Sequence, residues 1–104
     1  MARRVRDSGL ETRAARAKLK ARGKPYYKSI GDGLHLGYRK GSTVGKWVVR
    51  RYVGDQDYKV ETIATADDVE DADGNKVLNF WQAQDRARQR GGELVYAGPY
   101  RVRD

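Results

Sequence analysis

Residues 34–39 alternate strictly, with Leu34, Leu36 and Tyr38 on one side and His35, Gly37 and Arg39 on the other. A period of two predicts a half-buried strand. Residues 46–53, "KWVVRRYV", are rich in β-branched and aromatic side chains and predict a second strand. Trp47, Val49, Arg51 and Val53 share one of its faces; Lys46, Val48, Arg50 and Tyr52 share the other. "YKVETIAT", 58–65, predicts a third. The loop "KGSTVGK" and the turn "GDQD" join the three as an antiparallel meander. Residues 26–31 are a candidate short edge strand, closed by the turn signal Asp32-Gly33.

The period then changes. After an acidic, loop-like stretch over 66–78, Phe80, Ala83 and Ala87 fall at helical spacing. Asn79 with Gln82 marks a capping box, and Gly91-Gly92 marks a stop, so a helix is expected over 79–90. The expected fold class is α+β: a three-stranded antiparallel sheet packed on one C-terminal α-helix. One helix covers one face of such a sheet. Leu34, Leu36, Tyr38, Trp47, Val49 and Ile63, with Phe80, are the expected core. The small alanines on the stripe allow a close approach.

Residues 1–24 offer little to bury beyond Val5, Leu10, Leu19 and alanines. Ser8 with Glu11 could cap a helix, and Gly23 with Pro25 would stop it. An isolated helix of that length is marginal in water. The expectation is a flexible basic arm over 1–24, a folded domain over 25–92 and a linker over 93–104. Deleting residues 1–22 would then leave the fold intact.

Charge changes what the uncovered face means. The 104 residues carry a net +8, distributed as +7 over 1–24, +3 over 25–66, −2 over 67–92 and zero thereafter. A basic arm and middle point to a polyanionic partner. The face opposite the core would show His35, Arg39, Lys46, Arg50 and Tyr52, flanked by Lys40 and Thr62, with no acid from the first two strands. An antiparallel sheet commonly leaves one face wet, so a merely solvated surface is the plain alternative. Cations and aromatics instead suit nucleic acid: they neutralise phosphates, and arginine can bond guanine O6 and N7. Gly37 would let a backbone come close. Arg13, Arg16, Lys18, Lys20, Arg22 and Lys24 in the arm would add DNA-backbone contacts.

Several functions are poorly supplied. Cysteine is absent and there is one histidine, so thiolate and multi-imidazole metal sites are excluded. With no convergent carboxylate pair, acid–base or nucleophilic catalysis lacks material, and no cofactor is expected. "DADGN" fails as a calcium loop, because aligning Gly74 with the loop glycine puts Val69 and Phe80 at ligand positions. Asp67, Asp68, Glu70, Asp71 and Asp73 read instead as a solvated acidic loop. No apolar run approaches a membrane span, and the basic start is not a secretory signal. A soluble cytoplasmic protein is the default.

The ordered strings "KPYYKSIGDGLHLGYRKG", "KWVVRRYV", "TADDVEDADG" and "FWQAQDRAR" closely resemble the N-terminal region of phage-type tyrosine recombinases, the integrases. The resemblance runs from about Leu10 to Arg103. It implies an arm-type DNA-binding domain with an AP2-like fold, a three-stranded sheet backed by a helix, whose free face enters the major groove. It implies that His35, Arg39, Arg50 and Tyr52, with Lys46 and Thr62, face that groove. It also implies double-stranded arm-type attachment sites and neighbouring integrase protomers as partners, in a bacterial, nucleoid-associated setting. The third strand departs from the family, offering Val60 and Thr62 where a basic or aromatic reader is common. "GPYRVRD" resembles the linker toward a core-binding domain, and the catalytic residues would lie in a part beyond this chain. The alternatives are an RNA-binding or protein-interaction module using the same basic face.

Overall fold

The computed structural model describes residues 4–96. Its elements run α1 (Arg13–Ala17), β1 (Tyr26–Gly31), β2 (Leu34–Arg39), β3 (Lys46–Gly54), β4 (Asp57–Ala66), β5 (Val77–Leu78) and α2 (Phe80–Tyr96). The strands lie in the order β1-β2-β3-β4-β5; the first four pair antiparallel and β5 pairs parallel to β4. The described residues therefore form a small α+β domain with a mixed five-stranded sheet and a C-terminal helix. The expected three strands are present as β2, β3 and β4, and two more flank them. β1 follows the composition of 26–31. β5 is two residues long, and two residues carry no alternation to read. Asp73 builds the turn that delivers it, its Oδ1 accepting from the backbone N–H groups of Asn75, Lys76 and Val77 at 2.8–3.0 Å.

The alternating residues sort as expected. Leu34, Leu36, Tyr38, Trp47, Val49 and Phe80 are buried, with Ala83 and Ala87 of α2. Ile63 is only half-buried at the margin of this cluster, beside the bulge where the β3–β4 register shifts. Asn79 and Gln82 cap α2 reciprocally: Gln82 N–H donates to Asn79 Oδ1 at 2.9 Å and Asn79 N–H to Gln82 Oε1 at 3.0 Å. The helix does not stop at Gly91-Gly92. A Cβ on Gly91 would sit 2.5 Å from Leu34 Cδ1, so this glycine serves close helix–sheet packing and not a C-cap. Residues 93–96, expected in a linker, are its last turn; 97–104 lie outside the described residues.

The flexible arm is the main correction. Residues 4–19 pack on the helix side of the sheet, so α2 shares that face. Leu10 is buried, and Arg16 is 1% exposed. Arg16 Nε donates to Asp68 Oδ1 at 2.9 Å, Nη2 to Asp67 Oδ1 at 2.5 Å and Nη1 to the Leu10 carbonyl at 2.9 Å. Its guanidinium also lies 5.1 Å from the Trp47 ring centroid and 5.7 Å from that of Tyr38. The segment's helix is capped by Thr12, not Ser8, with Ala15 N–H donating to Thr12 Oγ1 at 3.0 Å, and Asp7 closes the turn before it. The Asp7 carbonyl accepts from Leu10 and Glu11 N–H, and Glu11 Oε2 accepts from Asp7 N–H at 2.8 Å. Further back, Val5 N–H donates to Oε1 of the buried Gln84 at 3.0 Å, and Gln84 Nε2 donates to the Val5 carbonyl. The "solvated" acidic loop is thus half structural. Asp68 also accepts from Tyr38 Oη at 2.6 Å and Gly45 N–H at 2.8 Å.

One turn carries strain. Asp55 (φ 55°) and Gln56 (φ 60°) both occupy the left-handed region between β3 and β4. Two-residue hairpin turns of this form prefer glycine at the second position. Gln56→Gly is expected to raise folding stability by about 0.5–1 kcal/mol, the left-handed cost relieved less the added chain entropy, measured by urea unfolding.

Candidate nucleic-acid interface

Cross-strand pairing defines the second face of the sheet. Ser29 lies opposite His35, which lies opposite Arg50, which lies opposite Val60. Tyr27, Gly37, Val48 and Thr62 form the next row, and Arg39 with Lys46 and Tyr52 with Tyr58 pair toward the two ends. No Asp or Glu projects from these strand positions. Glu61 alternates to the helix side, where Arg90 Nη2 donates to its Oε2 at 2.9 Å. That hydrogen bond, with the nearby charge, holds the Glu61 carboxyl below its usual range.

Gly37 has a role opposite to the one expected. It does not open the face to a visiting backbone; Tyr27 and Val48 already occupy the space. A Cβ at Gly37 would sit 2.6 Å from both Tyr27 Cε1 and Val48 Cγ2. Val48 is fully buried on a face otherwise turned outward. With Tyr27 lying across the glycine, its ring becomes a platform. The Arg50 guanidinium lies 3.9 Å from the Tyr27 ring centroid and 5.1 Å from that of Tyr58. Cation–π contacts of this type are worth about 0.5–2 kcal/mol each, depending on desolvation. Arg50 Nε is buried without a protein hydrogen bond. The side chain is thus held by rings and not by a protein hydrogen bond at Nε.

His35 is half-buried, its ring 6.1 Å from that of Tyr27 in an edge-on arrangement, and its Nδ1 is buried without a protein partner. Burial first, and the Arg50 charge second, hold the imidazole below its ordinary pKa and favour its neutral form. In that form it can donate or accept a hydrogen bond without bringing a charge.

The remaining expected residues divide. Arg39 is half-buried at its end of the face, and Thr62 is exposed. Lys46 is exposed, its Nζ donating to Thr65 Oγ1 at 3.0 Å. Tyr52 is 40% exposed, packed edge-on to Tyr58 at 5.2 Å between centroids. Lys40 is committed elsewhere: its Nζ donates to the Arg16 carbonyl at 2.7 Å, tying the β2–β3 loop to α1. Of the arm residues, Arg16 is buried and cannot meet DNA. Arg13 pairs with Asp71 at 2.7 Å. Arg22 stacks on Tyr26, 3.6 Å from the ring centroid, and donates to the carbonyls of Lys24 and Pro25. Lys18, Lys20 and Lys24 are exposed in the segment that leads into β1. The structure therefore brings His35, Arg39, Lys46, Arg50, Tyr52 and Thr62 onto one face, and leaves Lys40, Arg13 and Arg16 off it.

Tyr27 and Tyr58 were missed by reading single strands. Their signal was available in the pairing: once β1 and β4 are aligned on β2 and β3, both rings neighbour Arg50. Among the described residues no group of three or more His, Cys, Asp or Glu is placed to hold a metal ion, and no helix is long and apolar enough to cross a membrane. No protein-family model, curated sequence or solved structure matches the chain.

Proposed function

We propose that this domain binds double-stranded DNA sequence-specifically, laying the β2–β3–β4 face in the major groove, as the arm-type DNA-binding domain of a phage or prophage integrase with an AP2-like fold. The observation that carries the reading is an acid-free sheet face on which aromatic rings hold an arginine in place. A face that was only solvated would gain nothing from fixing its central cation. Fixing it lowers the ordering cost of a bidentate contact to guanine O6 and N7. Arg39 and Lys46 toward one end are suited to phosphates, with the lysines of 18–24 adding to them. The domain then serves site-specific recombination and DNA integration by delivering the parent protein to its attachment sites.

Selection from a random duplex library, followed by fluorescence anisotropy on the recovered site, tests this. Affinity is expected to fall with salt at a log–log slope of about −2 or steeper, one unit per phosphate neutralised by Arg39 and Lys46. Arg50→Ala is expected to cost about 1–3 kcal/mol on the selected site and to flatten sequence preference. Equal losses on selected and scrambled duplex would make Arg50 a phosphate contact. No selectable duplex, or affinity indifferent to salt, would end the DNA reading.

A further inference from the structure

The large hydrophobic side chains exposed among the described residues are Tyr52, Tyr58, Val60 and Val69. Three of these four share one end of the sheet face. Val60, 50% exposed, stands directly opposite Arg50, and the Tyr52–Tyr58 pair is the next one along. Val60 belongs neither to the core cluster nor to the hydrophobics packed around it. Tyr58 helps place the Arg50 guanidinium, but Val60 has no such partner to position. A branched apolar side chain beside a fixed arginine can neither neutralise a phosphate nor bond a base edge. The major-groove feature that it complements is the C5-methyl group of thymine.

Resting on the DNA-binding reading above, we propose that Val60 is a specificity-determining residue that reads the 5-methyl group of a thymine beside the base pair met by Arg50. Opposed side chains on an antiparallel pair are spaced by about 4.5–5.5 Å at Cβ. Base pairs are stacked about 3.4 Å apart. Arg50 and Val60 thus meet the same or adjacent base pairs. The arginine selects guanine through two acceptors; the valine selects thymine by burying a methyl group that cytosine lacks. The open face of β4, uncharged at Tyr58, Val60 and Thr62, becomes a reader of a methyl group in place of a reader of hydrogen bonds.

The test uses the duplex selected above and the same duplex with each thymine in turn replaced by deoxyuridine, which removes only the methyl group. One replacement, next to the guanine whose loss most weakens binding, is expected to reduce wild-type affinity about fourfold, the value of one buried methyl-sized group. 5-Bromodeoxyuridine at that position, with a methyl-sized substituent, is expected to restore it. Val60→Ala is expected to bind the thymine and deoxyuridine duplexes equally, with an unfolding midpoint close to that of the wild type because Val60 is half exposed. Wild-type indifference to every deoxyuridine replacement overturns the proposal and leaves DNA binding standing. So does a Val60→Ala variant that still discriminates. Failure to select any duplex removes both.

Discussion

Arg16→Ala is expected to lower folding stability by about 3–5 kcal/mol, the cost of breaking a buried ion pair from one side. The guanidinium is 1% exposed, and its two carboxylate partners, Asp67 and Asp68, are 16% and 14% exposed. Truncation strands both acids, removes the donor to the Leu10 carbonyl and opens a cavity beside Trp47 and Tyr38. For a domain of this size each kcal/mol shifts the melting temperature by about 4–8 °C, so the midpoint should fall by on the order of 12 °C or more. A fall of under about 4 °C in a thermal melt would show the network to be dispensable. The same network sets an acid limit. Burial would push the Asp68 carboxyl up, but hydrogen bonds from Tyr38, Arg16 and Gly45 N–H, with the Arg16 charge, outweigh it and hold the group below its ordinary value. A depressed folded-state pKa favours the ionised form in the fold. Its contribution is complete above the ordinary carboxylate value and is lost as pH falls through the lower, folded one. In Arg16→Ala that acid-linked loss should shrink.

Deleting residues 1–22 is expected to do more harm than Arg16→Ala, reversing what the composition of this segment suggests. The deletion removes Arg16, uncovers the core where Leu10 sits and leaves the buried Gln84 amide without its pairing to the Val5 backbone. It also takes away the carbonyl that holds Lys40. Against a typical stability of about 5–15 kcal/mol for a small domain, losses of this size unfold a large fraction of the chains. The measurement is a ¹H–¹⁵N correlation spectrum of the truncated chain. Collapse of amide dispersion is expected; a dispersed spectrum with β2 and β3 amides near their full-length positions would refute it. The proposed DNA binding would accordingly be lost through unfolding, and not through missing arm contacts.

The central strands and the helix start were legible because each rests on a local rule. Strict alternation from Leu34 to Arg39 places side chains by the pleat alone, and the Asn79–Gln82 box closes within one turn. What was not legible depends on partners distant in the chain. Arg16 looks like one more cation in a basic tail; only Asp67 and Asp68, some fifty residues on, make it a core residue. Gly91 looks like a helix stop until Leu34 is seen beneath it. Gly37 looks like a gap until Tyr27 fills it.

The candidate site divides the same way. The sequence by itself determined the sign of the face on the first two predicted strands: alternation puts Arg39, Lys46 and Arg50 on the side opposite the apolar residues, and no tertiary contact is needed for that. It also determined that thiolate and multi-imidazole sites lack their ligands, since the chain has no cysteine and one histidine. The tertiary structure decided which of the cations remain available. Lys40, Arg13 and Arg16 are drawn into the fold by a carbonyl, an exposed carboxylate and a half-buried acid pair. Arg50 is instead fixed on Tyr27 and Tyr58 with its tip outward. The physical reason is that a side chain's direction follows from its own backbone, whereas its desolvation and pairing depend on which other segments the fold brings against it.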